Sequence, residues 1–182
     1  ISTDEVYGSL DDTGIFTEKT NYSPRSPYSA TKAASDHLVN AWHHTYGLPT
    51  LITNCSNNYG PWQYPEKLIP VVILKALQGE DIPIYGKGLN IRDWLFVDDH
   101  IDAINLVCSK SKPGKNYCIG GGSEKTNLQL VNKICDLLDL YLPKNSSYKE
   151  QIRYVEDRLG HDYRYGIDFS LIAKGDTGFY GK

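Results

Sequence analysis

Two short stretches carry side chains suited to proton transfer. In Tyr28-Ser29-Ala30-Thr31-Lys32 the phenol and the amine lie four residues apart, so on a helix they share one face. An ammonium beside a phenol favours the phenolate, which would draw the Tyr28 pKa down from its ordinary value of about 10. That would make Tyr28 a proton-transfer group near neutral pH. Earlier in the chain, Thr3 offers a hydroxyl, and Asp4 and Glu5 offer two adjacent carboxyls. An enzyme that oxidises an alcohol and expels water has a use for all five groups. Each stretch alone has a plainer reading: a half-buried Tyr with a solvated Lys, and a solvated acidic loop.

The elements that must position these groups are legible. Ser26 followed by Pro27 is a helix start, with Ser as N-cap and Pro in the first turn. The helix should run from Pro27 to Tyr46, with Ala30, Ala34, Leu38 and Trp42 as an apolar stripe at helical spacing and Gly47 and Pro49 as its stop. Residues 1–3 read as the end of a buried strand, 7–24 as loop, 50–55 as a β-branched strand and 56–61 as a polar loop. Helix, strand and loop in this order form a unit of a parallel α/β sheet, where ligands bind at the carboxyl ends of strands. Tyr28, Thr3 and the pair Asn57-Asn58 would then converge in one cleft.

The second half is a succession of short elements. Residues 66–78 read as a helix ended by Gly79, Ile82–Tyr85 as a strand followed by a turn at 86–88, and 94–97 as another strand. Asp98 is expected to cap a helix to about residue 109. Residues 116–119 read as a strand ending in Gly120-Gly121-Gly122, Thr126 as the cap of a helix to about residue 140, and 153–157 as a last strand. The Gly triplet lacks the Walker spacing, and G-x-G-x-x-G is absent, so the triplet reads as a strand-end turn. Any loop that grips a dinucleotide pyrophosphate would lie outside this sequence.

Composition narrows the function classes. The 182 residues carry a net charge of −3 and no basic block, which argues against nucleic-acid binding. No apolar run is long enough to span a bilayer, and no signal peptide opens the sequence; residues 71–77 are apolar but short, as in a core helix. Cys55, Cys108, Cys118 and Cys135 form no Cys-x-x-Cys pair and read as buried thiols in a reducing, cytoplasmic compartment. The adjacent His43 and His44 point apart on a helix, so no metal site is expected. The absence of methionine and the opening on Ile1-Ser2-Thr3-Asp4-Glu5 suggest a piece of something longer.

Taken together, these motifs resemble the extended short-chain dehydrogenase/reductase superfamily and, within it, the dTDP-glucose 4,6-dehydratase family. The matching segments are 1–8 (ISTDEVYG), 26–39 (SPYSATKAASDHLV), 53–61 (TNCSNNYGP), 65–70 (PEKLIP), 83–88 (PIYGKG), 91–95 (IRDWL), Asn127-Leu128 and 157–162 (DRLGHD). Thr3-Asp4-Glu5 carries most of the subfamily assignment, since related epimerases lack the Asp-Glu pair. The resemblance implies an α/β fold. Residues 1–62 would be the C-terminal part of an NAD-binding Rossmann-like domain, and 63–182 mainly a nucleotide-sugar-binding domain with segments returning to the Rossmann sheet. It implies that Tyr28 takes the proton of the sugar 4-hydroxyl as hydride passes to NAD, while Lys32 holds the nicotinamide ribose and lowers the Tyr28 pKa. Thr3 would hydrogen-bond the 4-oxygen, Glu5 would take the proton from carbon 5, and Asp4 would protonate the departing 6-hydroxyl. Asn58 would touch the nicotinamide side. Asn57, Lys67, Leu68, Arg92, Asn127, Arg158 and His161 would bind the nucleotide sugar, with Pro83, Ile84 and Tyr85 lining the base pocket. A homodimer is implied, to which the long helix could contribute.

The sequence departs from this pattern in two places. The Gly-rich βαβ unit is absent, so this piece alone is expected to bind NAD poorly and to be inactive. After residue 174 the family's final helix is replaced by a short Gly-rich end. Two rival readings remain: an epimerase or decarboxylase of the same superfamily, which Asp4-Glu5 opposes, and a non-catalytic relative, which the intact Tyr28, Lys32, Asp4 and Glu5 oppose.

Overall fold

The computed structural model describes residues 1–174; the divergent Gly-rich end expected at 175–182 lies outside them. A parallel sheet has the order β1 (Ser2–Thr3), β2 (Leu51–Cys55), β6 (Lys115–Ile119), with Ser2 opposite Asn54 and Asn54 opposite Cys118. Parallel neighbours need long crossovers. Helix α1 (Pro27–Tyr46) supplies the one between β1 and β2, and α3 (Val97–Lys110) leads into β6.

The bounds of α1 are those its sequence signals predict. Ser26 accepts from the Ser29 amide, Ser29 accepts from the Ser26 amide, Pro27 opens the first turn, and Gly47 closes the helix with φ 70°. The apolar stripe faces outward: Leu38 is 62% and Trp42 53% exposed. The buried face is instead small and polar, made by Ser29, Ala33 and Asp36. It fits closely against the sheet because the Asp36 carboxylate accepts hydrogen bonds from Ser2 Oγ at 2.7 Å, Tyr22 Oη at 2.9 Å and Asn54 Nδ2 at 3.4 Å.

A second unit pairs β4 (Ile82–Tyr85) in parallel with β8 (Ile152–Val155). Helices α2 (Leu68–Gln78) and α4 (Asn127–Tyr141) cover it, burying Val72, Ala76, Ile82, Ile84, Val131, Ile134 and Cys135 around Tyr148. Thr126 caps α4 through a capping box with Gln129, as expected.

Between the two units lies a small mixed sheet. Here β3 (Asn57–Tyr59) runs parallel to β5 (Ile91–Phe96), which pairs antiparallel with β7 (Glu124–Thr126). This corrects several expectations. Residues 57–59 are strand and not loop, because the polar Asn-Asn-Tyr run finds backbone partners in residues 94–96. Strand β5 starts at Ile91, and Val97 opens α3. Asp98 is not a cap; it lies with Asp99 in the first turn, where the positive end of the helix favours acids. The glycine triplet is the expected strand-end turn: a Cβ on Gly121 would stand 2.0 Å from the Trp94 carbonyl oxygen, and Asp93 accepts from the Gly121 and Ser123 amides at 2.8 and 2.6 Å. All four cysteines are free thiols, but only Cys118 and Cys135 are buried; Cys55 is half-buried, and Cys108 is exposed on α3. Among the described residues no helix is long and apolar enough to cross a membrane, and no cluster of three potential metal ligands occurs.

Candidate active site

A cavity of about 1020 Å³ opens where the three sheets meet. The end of β1 supplies Thr3, Asp4 and Glu5, the start of α1 supplies Tyr28 and Lys32, and β3 supplies Asn57 and Asn58. Lys67 and Leu68 stand at the start of α2, Pro83 and Tyr85 on β4, Arg92 on β5, Asn127 at the start of α4, and Arg158 and His161 on the segment after β8. Ile84 is the exception. Strand alternation turns its side chain into the apolar core at 1% exposure, so it does not line the cavity.

The acidic corner is unusually short of hydrogen-bond donors. Thr3 caps the short 3₁₀ turn Asp4–Tyr7 by accepting from the Glu5 amide at 3.3 Å, and its hydroxyl donates to Asp4 Oδ1 at 3.3 Å. Asp4 is 2% exposed, and its Oδ2 has no partner among the described residues. Burial, reinforced by Glu5, pushes the Asp4 carboxyl up to about 7, against the Thr3 hydrogen bond and the charge of Arg92. Burial also raises Glu5, but Arg92 and Lys67 oppose that rise. The neighbouring carboxyls therefore sit in different environments.

The expectation for Tyr28 is corrected. Burial, together with Glu5, Cys55 and Asp4, raises its pKa. The Lys32 ammonium donates to the Ile1 carbonyl at 2.7 Å. Arg92 is pinned: its Nη1 donates to the Ile91 and Tyr163 carbonyls at 2.7 and 3.2 Å, its Nη2 donates to the Asp162 carbonyl at 2.8 Å, and its guanidinium lies over the Tyr165 ring at 4.3 Å. Arg158 stacks over Tyr85 at 4.6 Å, and His161 pairs with Asp157 at 2.7 Å. The cavity thus has an acidic corner at one end and cations backed by aromatic rings elsewhere.

Six further lining residues had no assigned role: Ser56, Trp94 and Asp162 lie within resembling segments, while Gln63, His100 and Tyr165 lie in none. Trp94 is brought in on β5, His100 on α3, and Ser56, Gln63, Asp162 and Tyr165 on connecting segments. Buried polar atoms without a partner concentrate here: Asp4 Oδ2, Ser56 Oγ, Asn57 Oδ1, Gln63 Oε1, Trp94 Nε1 and His100 Nε2 all belong to residues of the cavity wall. Buried polar groups are costly when unpaired, so a polar ligand is what such a wall fits.

Comparison with known proteins agrees with this geometry. A family model described as GDP-mannose 4,6 dehydratase matches residues 1–178. The dTDP-glucose 4,6-dehydratase of Salmonella typhimurium is 59% identical over 183 residues, covering 96% of the chain and 51% of that protein. The enzyme of the same name from Xanthomonas campestris pv. campestris (strain B100) is 60% identical over 174 residues, covering 94% and 50%. The crystal structure of dTDP-glucose 4,6-dehydratase from Bacillus anthracis in complex with NAD superposes with a TM-score of 0.91 at 49% identity, covering 100% of the chain and 55% of its own. The Streptomyces venezuelae enzyme with NAD and TYD bound gives 0.92 at 45%, covering 100% and 53%. The chain spans about half the length of the curated relatives it matches. A Rossmann-like parallel sheet, an acid pair at a strand end beside a Tyr-x-x-x-Lys helix, and a family model matched over nearly the whole sequence place this chain in the GDP-mannose 4,6 dehydratase family.

Proposed function

We propose that the complete natural chain containing this sequence removes water from a thymidine-diphosphate glucose, giving a 4-keto-6-deoxy sugar, with NAD as a regenerated cofactor. The observation that carries this reading is Asp4: a fully buried carboxyl, pushed up to about 7, beside a second carboxyl and facing the same cavity as Tyr28. A carboxyl that keeps its proton near neutrality can protonate a departing hydroxide, and an ionised neighbour can take a carbon-bound proton. Asp4 is therefore the acid and Glu5 the base, with Arg92 and Lys67 favouring the Glu5 carboxylate.

Thr3 hydrogen-bonds the acid through its hydroxyl, and on substrate binding it would turn that single donor to the sugar 4-oxygen. Tyr28 accepts the 4-hydroxyl proton. Lys32, Tyr28 and Asn58 would hold NAD, whose fit is supported by the unpartnered polar wall around Asn57, Ser56 and His100. When bound, NAD would supply hydride exchange between carbon 4 and carbon 6, and its nicotinamide charge would lower the raised Tyr28 phenol. The stacked cations Arg92 and Arg158, with Lys67, suit a diphosphate. Pro83 and Tyr85 offer an apolar face to the base, and Asn57, Leu68, Asn127 and His161 complete the sugar-nucleotide wall.

The outward stripe of α1 supports assembly as a homodimer. Leu38, Trp42 and Tyr46 are exposed in one line, with the Trp42 and Tyr46 rings 4.8 Å apart, and a second copy of the same helix would cover them. The four unpaired thiols fit the cytoplasm.

Mass spectrometry of the complete chain incubated with dTDP-glucose and UDP-glucose tests the reading. Loss of one water from the thymidine sugar alone is expected. A change of stereochemistry without mass loss would move the activity to epimerisation, and no reaction would leave a non-catalytic relative.

A further inference from the structure

His100 stands on the first turn of α3, away from every motif that points to chemistry, yet it lines the cavity at 8% exposure. Its hydrogen bonding can be deduced from its neighbour. Asn58 Nδ2 lies 3.0 Å from the Ser56 carbonyl oxygen and 3.5 Å from Cys55 Sγ. A carbonyl oxygen can only accept, so the amide nitrogen must face it, and the orientation of the Asn58 side chain is fixed. The oxygen Asn58 Oδ1 therefore faces His100 Nδ1, at 2.7 Å. The Nδ1–H must be the donor, which leaves Nε2 as a bare acceptor. That atom is buried and has no partner among the described residues. Burial lowers the His100 pKa, so the neutral ring with a free lone pair is favoured.

The ring's surroundings narrow what it can accept from. Asn58 donates into Cys55, Cys55 donates to the Ser2 carbonyl at 3.3 Å, and Lys32 reaches the Ile1 carbonyl. These residues form the end of the cavity proposed above for the nicotinamide. The cations suited to a diphosphate, Arg92 and Arg158, belong to β5 and to the segment after β8. The nicotinamide carboxamide carries two N–H donors and needs acceptors.

We infer that His100 Nε2 accepts a hydrogen bond from the carboxamide of the nicotinamide ring, and that His100 thereby fixes which face of the ring meets the sugar. This rests on the NAD reading above. It makes His100 a cofactor-recognition residue whose orientation is set by Asn58, and it explains why a buried imidazole keeps one nitrogen unpaired.

The test compares two dinucleotides on the complete chain stripped of cofactor. NAD⁺ and 3-acetylpyridine adenine dinucleotide differ at the recognised group, where a methyl ketone replaces the amide and removes the N–H donors. Affinities are read from quenching of tryptophan fluorescence. The wild-type chain should prefer NAD⁺ about tenfold, because a site built around a hydrogen bond discriminates against a ligand that lacks it. His100→Phe should weaken NAD⁺ about tenfold and leave the analogue unchanged, bringing the ratio to about one. Equal losses for both ligands would mean that His100 only supports the fold, which overturns the inference and leaves the NAD reading intact. A wild-type chain that binds neither dinucleotide overturns the NAD reading itself, and this inference with it. A measurement without any variant stands beside these: the ¹⁵N resonance of His100 Nε2 should move when NAD⁺ binds and stay in place when the analogue binds. Equal movement with both would also overturn the inference.

Discussion

Asp4 and Asp36 are both buried carboxyls, at 2% and 5% exposure, and both adjoin β1. Their surroundings differ in one respect. A single oxygen of Asp36 collects donors from Ser2, Tyr22 and Asn54, and by doing so fastens α1 to β1 and β2. Asp4 receives one hydrogen bond of 3.3 Å, and its other oxygen has no partner among the described residues. The same side chain at nearly the same depth is thus supplied with donors where it holds elements together and starved of them where it faces the cavity. Poverty of donors at comparable burial separates a reactive carboxyl from a structural one.

The sharpest way to break this contrast is at Asp4. Asp4→Asn in the complete chain should lower kcat for water loss about 10²–10⁴-fold, the range typical of a general acid, with KM changed far less. An unaltered kcat would remove Asp4 from the chemistry. Next in size is a stability effect with a definite sign. The Asp4 carboxyl lies near 7 in the folded chain, against 3.8 as its ordinary value. The folded state therefore holds a proton that the unfolded state loses first. The contribution is fully present below about pH 4 and is lost as pH rises through 7, costing up to about 4 kcal/mol above it. Urea denaturation at pH 5 and pH 8 should show the drop, and Asp4→Asn should flatten it. Asp36→Ala should behave oppositely. It strands three donors, so it should lose about 3 kcal/mol at both pH values, while Asp36→Asn, which keeps an acceptor oxygen, recovers part of the loss. The smallest effect expected is at the helix surface. Trp42→Glu should weaken self-association at least tenfold by analytical ultracentrifugation and change monomer stability by no more than about 0.5 kcal/mol.

The contrast also marks where the sequence stops being readable. The bounds of α1, β4 and the Thr126 cap follow from local rules, because Ser-Pro, Gly and the capping box act within a few residues. The polarity of α1 did not follow: Asp36 is the buried position and Leu38 the exposed one, since burial was decided by what Ser2, Tyr22 and Asn54 could donate. Strands β3 and β7 went unread for the same reason, being three residues each and existing only through pairing with β5. At the site, Thr3, Asp4, Glu5, Tyr28 and Lys32 stand out by type and spacing. His100 and Gln63 do not, because their place in the wall depends on partners distant in the sequence. The raised Tyr28 was also out of reach, as it depends on burial and on Glu5, Cys55 and Asp4 gathering around it in the fold.

The parallel pairings have a consequence in time. Thr3 meets Cys55, Ile82 meets Ile152, and the guanidinium of Arg92 is held by carbonyls 70 and 71 residues away. Contacts of this span form late, because the loop between them must close before they reward it. No early, local intermediate can hold the acid corner against the cations that face it. The cavity is completed among the last events of folding, and until then the strand edges that will frame it stay open to other chains.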